Sequence, residues 1–194
     1  MLKYLIFDWG GVFAPGHLLK DFSNNLARII GGEAEQYEKV FRAMEFPYET
    51  GEIDPVEFWQ NFIREAKLKI PIDEVRNIFF NSYNIDSEML EYAQELKKIY
   101  KIVLFTNNYQ DLFVYIKSKY NLEKYFDHLF ASSEIKFKKP DSRSYEFVLR
   151  ELGIEANEAV FIDDKEKNVV AAGELGFKTI LFQNLAQLKN ELQK

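Results

Sequence analysis

The sequence predicts an α/β protein with a doubly wound, parallel-sheet core and a small α-helical bundle as a cap. Short β-prone runs alternate with segments of helical periodicity, which is typical of right-handed crossovers in a parallel sheet. One long stretch after the first β-prone run carries helical patterns only. We therefore expect a core formed by residues 1–14 and 84–194, and a cap formed by residues 15–83.

Five segments predict strands of the core. Residues 3–8 are mostly apolar and β-prone, and Gly10 and Gly11 end the run directly afterwards. The second run, residues 102–106, is likewise followed by a turn signal, Asn107-Asn108. The other predicted strands cover 102–106, 128–131 (the weakest), 159–164 and 178–182, and helical patterns cover about 87–99, 109–119, 143–152 and 166–175.

The stretch from about 17 to 83 contains four helical patterns. The second is expected to end at Pro47, because proline removes a helical N–H donor. Asp54, Pro55 and Glu57 predict the start of the third, as an N-cap residue, a proline at the first helical position and an acid two residues later. Four helices inserted after the first strand indicate a bundle that lies on the sheet.

Composition excludes several classes of function. The 194 residues carry a net charge of -6 without a long basic stripe, so we expect no nucleic-acid partner. Cysteine is absent, which excludes disulfides, thiol catalysis and cysteine metal sites. The apolar run at the start is too short for a signal peptide or a membrane span. We expect a cytoplasmic protein without a membrane partner, either a monomer or a homodimer.

Polar residues follow the predicted strands at one edge of the sheet. Asp8 ends the first strand, Thr106 ends the second, and Asp163 with Asp164 ends a later one, while Lys139 lies in a loop. Ligands of open parallel sheets bind outside the carboxyl ends of the strands. Taken singly, each residue is explained as a turn, strand, cap or solvated loop residue. Together and in this order, they can hold a divalent cation and a phosphoryl group.

Four ordered segments around these residues resemble the motifs of the haloacid dehalogenase-like hydrolase superfamily, over essentially the whole length of the chain. The helical insert is similar to the cap of the subgroup that inserts one after the first motif. The segments are FDWGGV at 7–12, LFTNN at 104–108, KKPDSRSYEFVLRELGI at 138–154 and VFIDDKEKNVVAAGELGF at 160–177.

The resemblance implies a Mg²⁺-dependent phosphatase that acts on a small phosphorylated metabolite. Asp8 would be the nucleophile and form an aspartyl-phosphate, later hydrolysed by water. Thr106, Asn107 and Lys139 would hold the phosphoryl oxygens. The implied Mg²⁺ ligands are Asp8, the backbone carbonyl of Gly10, Asp163 and Asp164, and the sequence does not separate the roles of the last two.

Gly10 departs from the family pattern. Phosphatases of the family usually carry there a second aspartate, which protonates the leaving group and activates water. Such a general acid/base contributes about 10²- to 10⁴-fold, so we expect slow turnover or a restriction to good leaving groups. His17 is a candidate substitute, although it is explained more simply as a residue at the start of a helix.

Two other functions stay open in the same fold. Dehalogenases of the family also lack the second aspartate, so Gly10 permits a 2-haloacid dehalogenase, while the acidic pair Asp163 and Asp164 opposes a metal-free site. The second open function is that of a phosphate-binding or interaction protein that has lost catalysis. A parallel α/β protein outside this family is also possible on architecture alone, although no GxGxxG or GxxxxGK[ST] signature supports a nucleotide cofactor. The residues that could reach the substrate are Trp9, Phe13, His17 and the segment 48–50. Aromatic residues in a helical bundle usually belong to the core, and a position covering the sheet edge is the alternative for Trp9.

Overall fold

The computed structural model describes residues 2–193, and it contains a five-stranded, wholly parallel sheet. The strands are β1 (Tyr4–Phe7), β2 (Lys101–Thr106), β3 (His128–Ala131), β4 (Ala159–Asp163) and β5 (Lys178–Leu181). Their spatial order is β3-β2-β1-β4-β5, so the chain starts at the centre and crosses over in both directions. The predicted doubly wound, Rossmann-like fold class is confirmed, and each predicted strand agrees within a residue or two.

Burial on both faces explains why the central strands are continuous apolar runs rather than alternating ones. The residues of β4 are all buried, as are those of β2 after Lys101. Phe7 of β1 is in register with Leu104 of β2 and Ile162 of β4. The carboxyl ends of these three strands therefore lie side by side, and the residues that end them meet at one edge.

Helices cover the two faces of the sheet and end where the sequence contains capping signals. The Asp86 side chain caps the helix that enters the core, accepting from the N–H groups of Glu88 and Met89 at 2.9 and 3.1 Å. In chain order after the insert, the helices are α5 (Ser87–Leu96), α6 (Gln110–Tyr120), α7 (Ser132–Ile135), α8 (Ser142–Leu152), α9 (Glu166–Glu174) and α10 (Leu185–Leu192).

Four helices lie between β1 and α5: α1 (Leu18–Ile30), α2 (Ala34–Glu49), α3 (Pro55–Glu65) and α4 (Ile72–Asn81). Their shared interior is aromatic, with Phe22, Phe41, Trp59 and Phe79 in mutual ring contact at centroid distances of 5.1–6.0 Å. The Asp54 side chain accepts from the N–H of Val56 at 2.7 Å and begins α3, as expected. We call these four helices the helical insert.

One helix boundary was predicted wrongly. Helix α2 continues through Pro47 to Glu49. Proline lacks the N–H that would donate to the carbonyl of residue 43, so the helix loses one hydrogen bond close to its end, while the last carbonyls accept from residues beyond the helix. The Pro47 carbonyl here accepts from Glu52 at 2.7 Å and Ile53 at 3.3 Å.

The division into a core and a cap with boundaries at 14/15 and 83/84 stays a prediction. Its outermost positions, residues 1 and 194, lie outside the described residues. Within residues 2–193, no helix combines the length and the apolar character needed to cross a membrane.

Candidate active site

The sheet brings the predicted strand-end residues together. Asp8 directly follows β1, and its backbone N–H donates to the carbonyl of Ile162 in β4 at 2.8 Å. Asp163 ends β4 beside it, and Thr106 ends β2 on the other side. All three side chains are buried, with 0–3% of each residue exposed. The site is thus built on the rigid centre of the molecule, where register places the side chains.

Lys139 joins two of these acids. Its Nζ donates to Asp8 Oδ1 at 2.8 Å, to Asp163 Oδ2 at 2.8 Å and to the Phe105 carbonyl at 2.7 Å. The ammonium group is 1% exposed, and all three of its N–H donors have an acceptor. A buried ion pair of this kind costs desolvation energy, and removing one partner leaves an uncompensated charge. The cluster therefore imposes a strict geometry on Asp8.

Asn107 positions Lys139 across 32 residues of sequence. The Asn107 Nδ2 donates to the Lys139 carbonyl, and the Lys139 backbone N–H donates to Asn107 Oδ1, both at 2.9 Å. This double hydrogen bond fixes the loop that carries the lysine to the end of β2. The sequence predicted Asn107 only as a phosphate-binding amide, so its side-chain role is a finding of the structure.

Asp163 is held by two further donors. The Lys165 backbone N–H donates to Asp163 Oδ1 at 2.8 Å, and Asn168 Nδ2 donates to Asp163 Oδ2 at 2.9 Å. Asp163 therefore both begins the turn into α9 and faces the site. Asp164, by contrast, is exposed and lines the cavity in front of the sheet.

Three carboxylates lie close enough together to share one cation. Asp8, Asp163 and Asp164 each offer an oxygen within 4.8 Å of the others. Gly11 allows Asp164 to approach, because a Cβ at Gly11 would lie 2.2 Å from Asp164 Oδ2 and the backbone there has φ +84°. Gly11, three residues after Asp8, thus leaves the space that the Asp164 side chain occupies.

Burial changes the protonation of these acids. It raises the pKa of Asp8 to about 6, an effect that the Lys139 ammonium reduces and the Asp163 charge reinforces. Burial also raises the pKa of Asp164, against the attraction of Lys165. A bound cation would favour the charged forms of both groups, which is what a hard oxygen-ligated metal requires.

A cavity of about 460 Å³ opens in front of this cluster. Gly10 lies in its wall, and apart from Gly10 and its two chain neighbours no heavy atom of residues 2–193 comes within 4 Å of where a Cβ of Gly10 would stand. His17 also lines the cavity, exposed at the start of α1. Polar side chains from the insert and the core complete its wall, among them Arg42, Glu45, Glu49, Tyr83, Asn108, Tyr109, Asp164 and Lys165.

Thr106 and the aromatic candidates differ in their placement. Thr106 ends β2 as predicted, and its Oγ1 donates to the Asn107 carbonyl at 3.3 Å. Trp9 and Phe13, predicted as residues that could reach the substrate, lie fully buried in the core. Their rings stack on one another at 5.6 Å. The turn after β1 folds them back into the core, where the Trp9 ring lies 6.5 Å from Tyr120 at the end of α6 and the Phe13 ring lies 5.2 Å from Phe126.

Of the segment 48–50, only Glu49 lines the cavity. Tyr48 is buried and donates to Asp111, and Thr50 is 2% exposed. The sequence missed the contribution of Tyr83, Asn108 and Tyr109 to the cavity wall. A signal was available only for Asn108, as part of the turn after β2. Tyr83 lies in the segment that returns from the insert to the core, and Tyr109 packs against rings of the insert; neither placement follows from a local pattern.

Comparison with known proteins agrees with the fold and the motifs. The pattern of the haloacid dehalogenase-like hydrolase family matches residues 2–176. A D-ribitol-5-phosphate phosphatase from Bacteroides thetaiotaomicron is 24% identical, covering 99% of this chain and 97% of the relative. A sesquiterpene phosphatase from Aspergillus oryzae is 29% identical, covering 90% and 86%.

A solved structure shares the architecture over almost its whole length. It is that of a family enzyme from Bacteroides thetaiotaomicron in complex with magnesium and inorganic phosphate, with a TM-score of 0.80 at 23% identity. The alignment covers 97% of this chain and 99% of that one. With its family pattern matched over most of its residues, its parallel sheet and its acidic cluster at the strand ends, this chain belongs to the haloacid dehalogenase-like hydrolase family.

Proposed function

We propose that the protein is a Mg²⁺-dependent phosphatase that hydrolyses a small phosphorylated metabolite through an aspartyl-phosphate on Asp8. The observation that carries the proposal is the buried Asp8 carboxylate, which Lys139 holds at 2.8 Å beside two further acids and in front of a cavity. The phosphatases among the relatives and the magnesium and phosphate in the similar structure support the same chemistry.

The acidic cluster fits a divalent cation. Three carboxylates oppose the Lys139 ammonium and the more distant Lys165, so the cluster keeps a net negative charge, and its oxygens converge within 4.8 Å. Carboxylate and carbonyl oxygens are the ligands that Mg²⁺ prefers. Bound there, Mg²⁺ would offset the repulsion between Asp8 and the phosphoryl group. The proposed ligands are Asp8, the Gly10 carbonyl, Asp163 and Asp164.

The residues of this chain divide the work of phosphoryl transfer. An Asp8 oxygen attacks phosphorus in line and forms the O–P bond, while the bond to the leaving oxygen breaks and its electron pair stays on that oxygen. Lys139, the Thr106 hydroxyl and the Asn107 N–H stabilise the equatorial oxygens. Water then hydrolyses the acyl phosphate and regenerates the Asp8 carboxylate.

The absence of a carboxyl side chain at position 10 shapes this mechanism. We infer that Gly10 stands where related phosphatases have their general acid/base, and the empty space at its Cβ position agrees with the loss of a side chain there. Turnover of esters with poor leaving groups should therefore be slow, since this assistance contributes about 10²- to 10⁴-fold.

The acidic pair weighs against dehalogenation as the main activity. A carbon–halogen hydrolase does not need a cation, and Asp163 and Asp164 would add negative charge beside a carboxylate nucleophile without benefit. Gly10 is compatible with either reaction. Halide release from a 2-haloacid in the presence of a chelator would favour the dehalogenase.

The test is phosphate release from p-nitrophenyl phosphate by the wild-type protein and by Asp8→Asn, each with Mg²⁺ and with a chelator. We expect activity only in the wild type with Mg²⁺. Asp73→Asn, at a side chain that is 90% exposed, is the matched control and should retain full activity. Phosphate release that persists in Asp8→Asn and in the chelator would contradict the proposal.

A further inference from the structure

The hydroxyl of Ser132 joins two segments of the chain that are distant in sequence. Ser132 directly follows β3, begins α7 and is 0% exposed. Its Oγ accepts from the Asn108 backbone N–H at 3.0 Å and donates to the Glu49 carbonyl at 2.6 Å. A hydroxyl has one proton to donate, and the Asn108 carbonyl, at 3.3 Å, is the more distant acceptor. One buried hydroxyl therefore connects the turn after β2 with the end of α2.

The turn after β2, residues 106–108, carries the groups proposed to hold the phosphoryl oxygens. Thr106 is in register with Ala131 at the end of β3, which places Ser132 beside the turn. Asn107 is bound through its side chain to the backbone of Lys139 at 2.9 Å. The next backbone N–H in the turn, that of Asn108, is bound to Ser132. The turn is thus fixed on both sides, and Ser132 supplies one of the two attachments.

The end of α2 lies close against the segment that begins with Ser132. Lys136 Nζ donates to the Gly51 carbonyl at 2.6 Å. Gly51 permits the close approach, because a Cβ there would lie 2.2 Å from the Ser133 carbonyl oxygen and the backbone has φ +64°. Glu49, whose carbonyl accepts from Ser132, also lines the cavity. The cavity wall and the turn 106–108 are therefore attached to the same hydroxyl.

Removal of this hydroxyl would leave two backbone groups without their present partner. Buried N–H and carbonyl groups of folded proteins are almost always hydrogen-bonded, so the turn would shift towards another partner. A shift of about 1 Å in the groups that hold a substrate can lower the rate by about 10²-fold, even when the substituted residue does not touch the substrate. Ser132 is buried and outside the cavity wall, so any effect on the reaction passes through the turn.

We propose that Ser132 is a positioning residue of the phosphate site. Its hydroxyl holds the turn 106–108 so that the Thr106 hydroxyl and the Asn107 N–H meet the phosphoryl oxygens, and it binds the end of α2 to that turn. This inference rests on the proposed phosphatase function. The proposed Mg²⁺ ligands follow β1 and β4, and β2 separates both strands from β3. Loss of the hydroxyl should therefore weaken phosphate binding and leave Mg²⁺ binding nearly unchanged.

The test measures three quantities for the wild type and for Ser132→Ala. Calorimetry gives the Kd of Mg²⁺ alone and the Kd of inorganic phosphate at saturating Mg²⁺, and p-nitrophenyl phosphate gives kcat. We expect the phosphate Kd to rise about tenfold and kcat to fall by about 10- to 100-fold. The Mg²⁺ Kd should change by less than about twofold, because its oxygen ligands are untouched.

Ser133→Ala is the matched control. Ser133 is the next residue, it is 3% exposed, and its Oγ has no hydrogen-bond partner within residues 2–193. Its substitution removes the same atom from the same helix without breaking a hydrogen bond of the turn. All three quantities should stay at the wild-type values.

Ser132→Cys is the second variant and decides the question if Ser132→Ala does not fold by far-ultraviolet circular dichroism. A thiol fills similar space but is a weak donor and acceptor, so the phosphate Kd should rise about threefold to fivefold with an unchanged Mg²⁺ Kd. Equal weakening of phosphate and Mg²⁺ binding, no weakening of phosphate binding, or equal effects of Ser132→Ala and Ser133→Ala would overturn the inference. A wild type that binds phosphate without hydrolysing the ester would refute the proposed phosphatase alone, since phosphate binding still tests Ser132.

Discussion

Two opposing influences act on the pKa of the Asp8 carboxyl group. Burial at the end of β1 raises its pKa to about 6, while the Lys139 ammonium at 2.8 Å and its hydrogen bond lower it. Since burial prevails, the metal-free folded protein binds a proton at Asp8 more tightly than the unfolded chain, where the pKa is near 3.8. Ionising Asp8 without a cation therefore costs stability.

This linkage predicts how the stability of the metal-free protein varies with pH. The contribution of Asp8 is neutral below pH 3.8 and becomes unfavourable as pH rises through about 6. At 1.36 kcal/mol per pKa unit, the loss is roughly 3 kcal/mol. The stability of Asp8→Asn relative to that of the wild type should therefore increase from pH 4.5 to about 6 and level off above it, whatever the offset from the lost ion pair with Lys139, measured by urea unfolding in a chelator. A constant difference across that range would contradict the assignment.

At the level of elements, the first turn of α6 is tied to three helices of the insert through one side chain. Asp111 accepts from Tyr48 of α2, from Trp59 Nε1 of α3 at 3.0 Å and from Arg76 Nε of α4 at 3.1 Å. It also accepts from the Leu112 N–H at 2.9 Å. Each of the three insert donors comes from a separate helix, so the carboxylate ties α2, α3 and α4 to the start of α6.

We predict that Asp111→Asn lowers the free energy of unfolding by about 3 kcal/mol. An amide removes the charge that faces Arg76. Its nitrogen also replaces one of the two acceptor oxygens, so a donor then faces either the Tyr48 hydroxyl or the Trp59 indole N–H. Urea unfolding at pH 7.5 measures the change. Asp73→Asn removes the other acidic partner of Arg76, at 3.9 Å and 90% exposed, and should change stability by less than about 0.5 kcal/mol. Equal effects of the two substitutions would contradict the role of Asp111.

At the level of the whole molecule, the insert and the sheet share one hydrophobic core. Buried residues of β1, the insert and α6 form a single continuous cluster. Tyr109, at the start of α6, contacts the insert directly, with its ring 4.7 Å from that of Tyr48 and 5.6 Å from that of Phe41. The helical insert and the sheet are distinct segments of the sequence, but their buried side chains pack together in one cluster.

We predict that the helical insert and the sheet unfold together. Trp9 reports on the sheet and Trp59 on the insert, so the variants Trp9→Phe and Trp59→Phe each keep one fluorescent reporter. In each variant, the urea midpoint from fluorescence should coincide with that from far-ultraviolet circular dichroism. Separate midpoints would show that the insert is an independent folding unit.

Much of the site was predictable because it depends on strand ends. Asp8, Thr106 and Asp163 follow apolar runs, and parallel pairing brings the ends of neighbouring strands together whatever the intervening loops do. The helix end at Pro47 was wrongly predicted because a proline near the end of a helix removes only one hydrogen bond, and α2 continues two residues beyond it. The sequence left Trp9 and Phe13 open between the site and the core, because an aromatic residue next to a site is not distinguishable in sequence from one in the core; the structure places both in the core.

The sequence by itself determined the parallel α/β architecture, the helical insert and the acidic and polar residues at the strand ends, since all of these follow from local periodicity and strand-end residue types. Only the tertiary structure decided how they act on one another. Lys139 lies 131 residues from Asp8 along the chain, yet bonds it directly, and Asn107 and Asp111 make contacts of the same long-range kind. Such contacts depend on packing between distant segments, which no local pattern encodes.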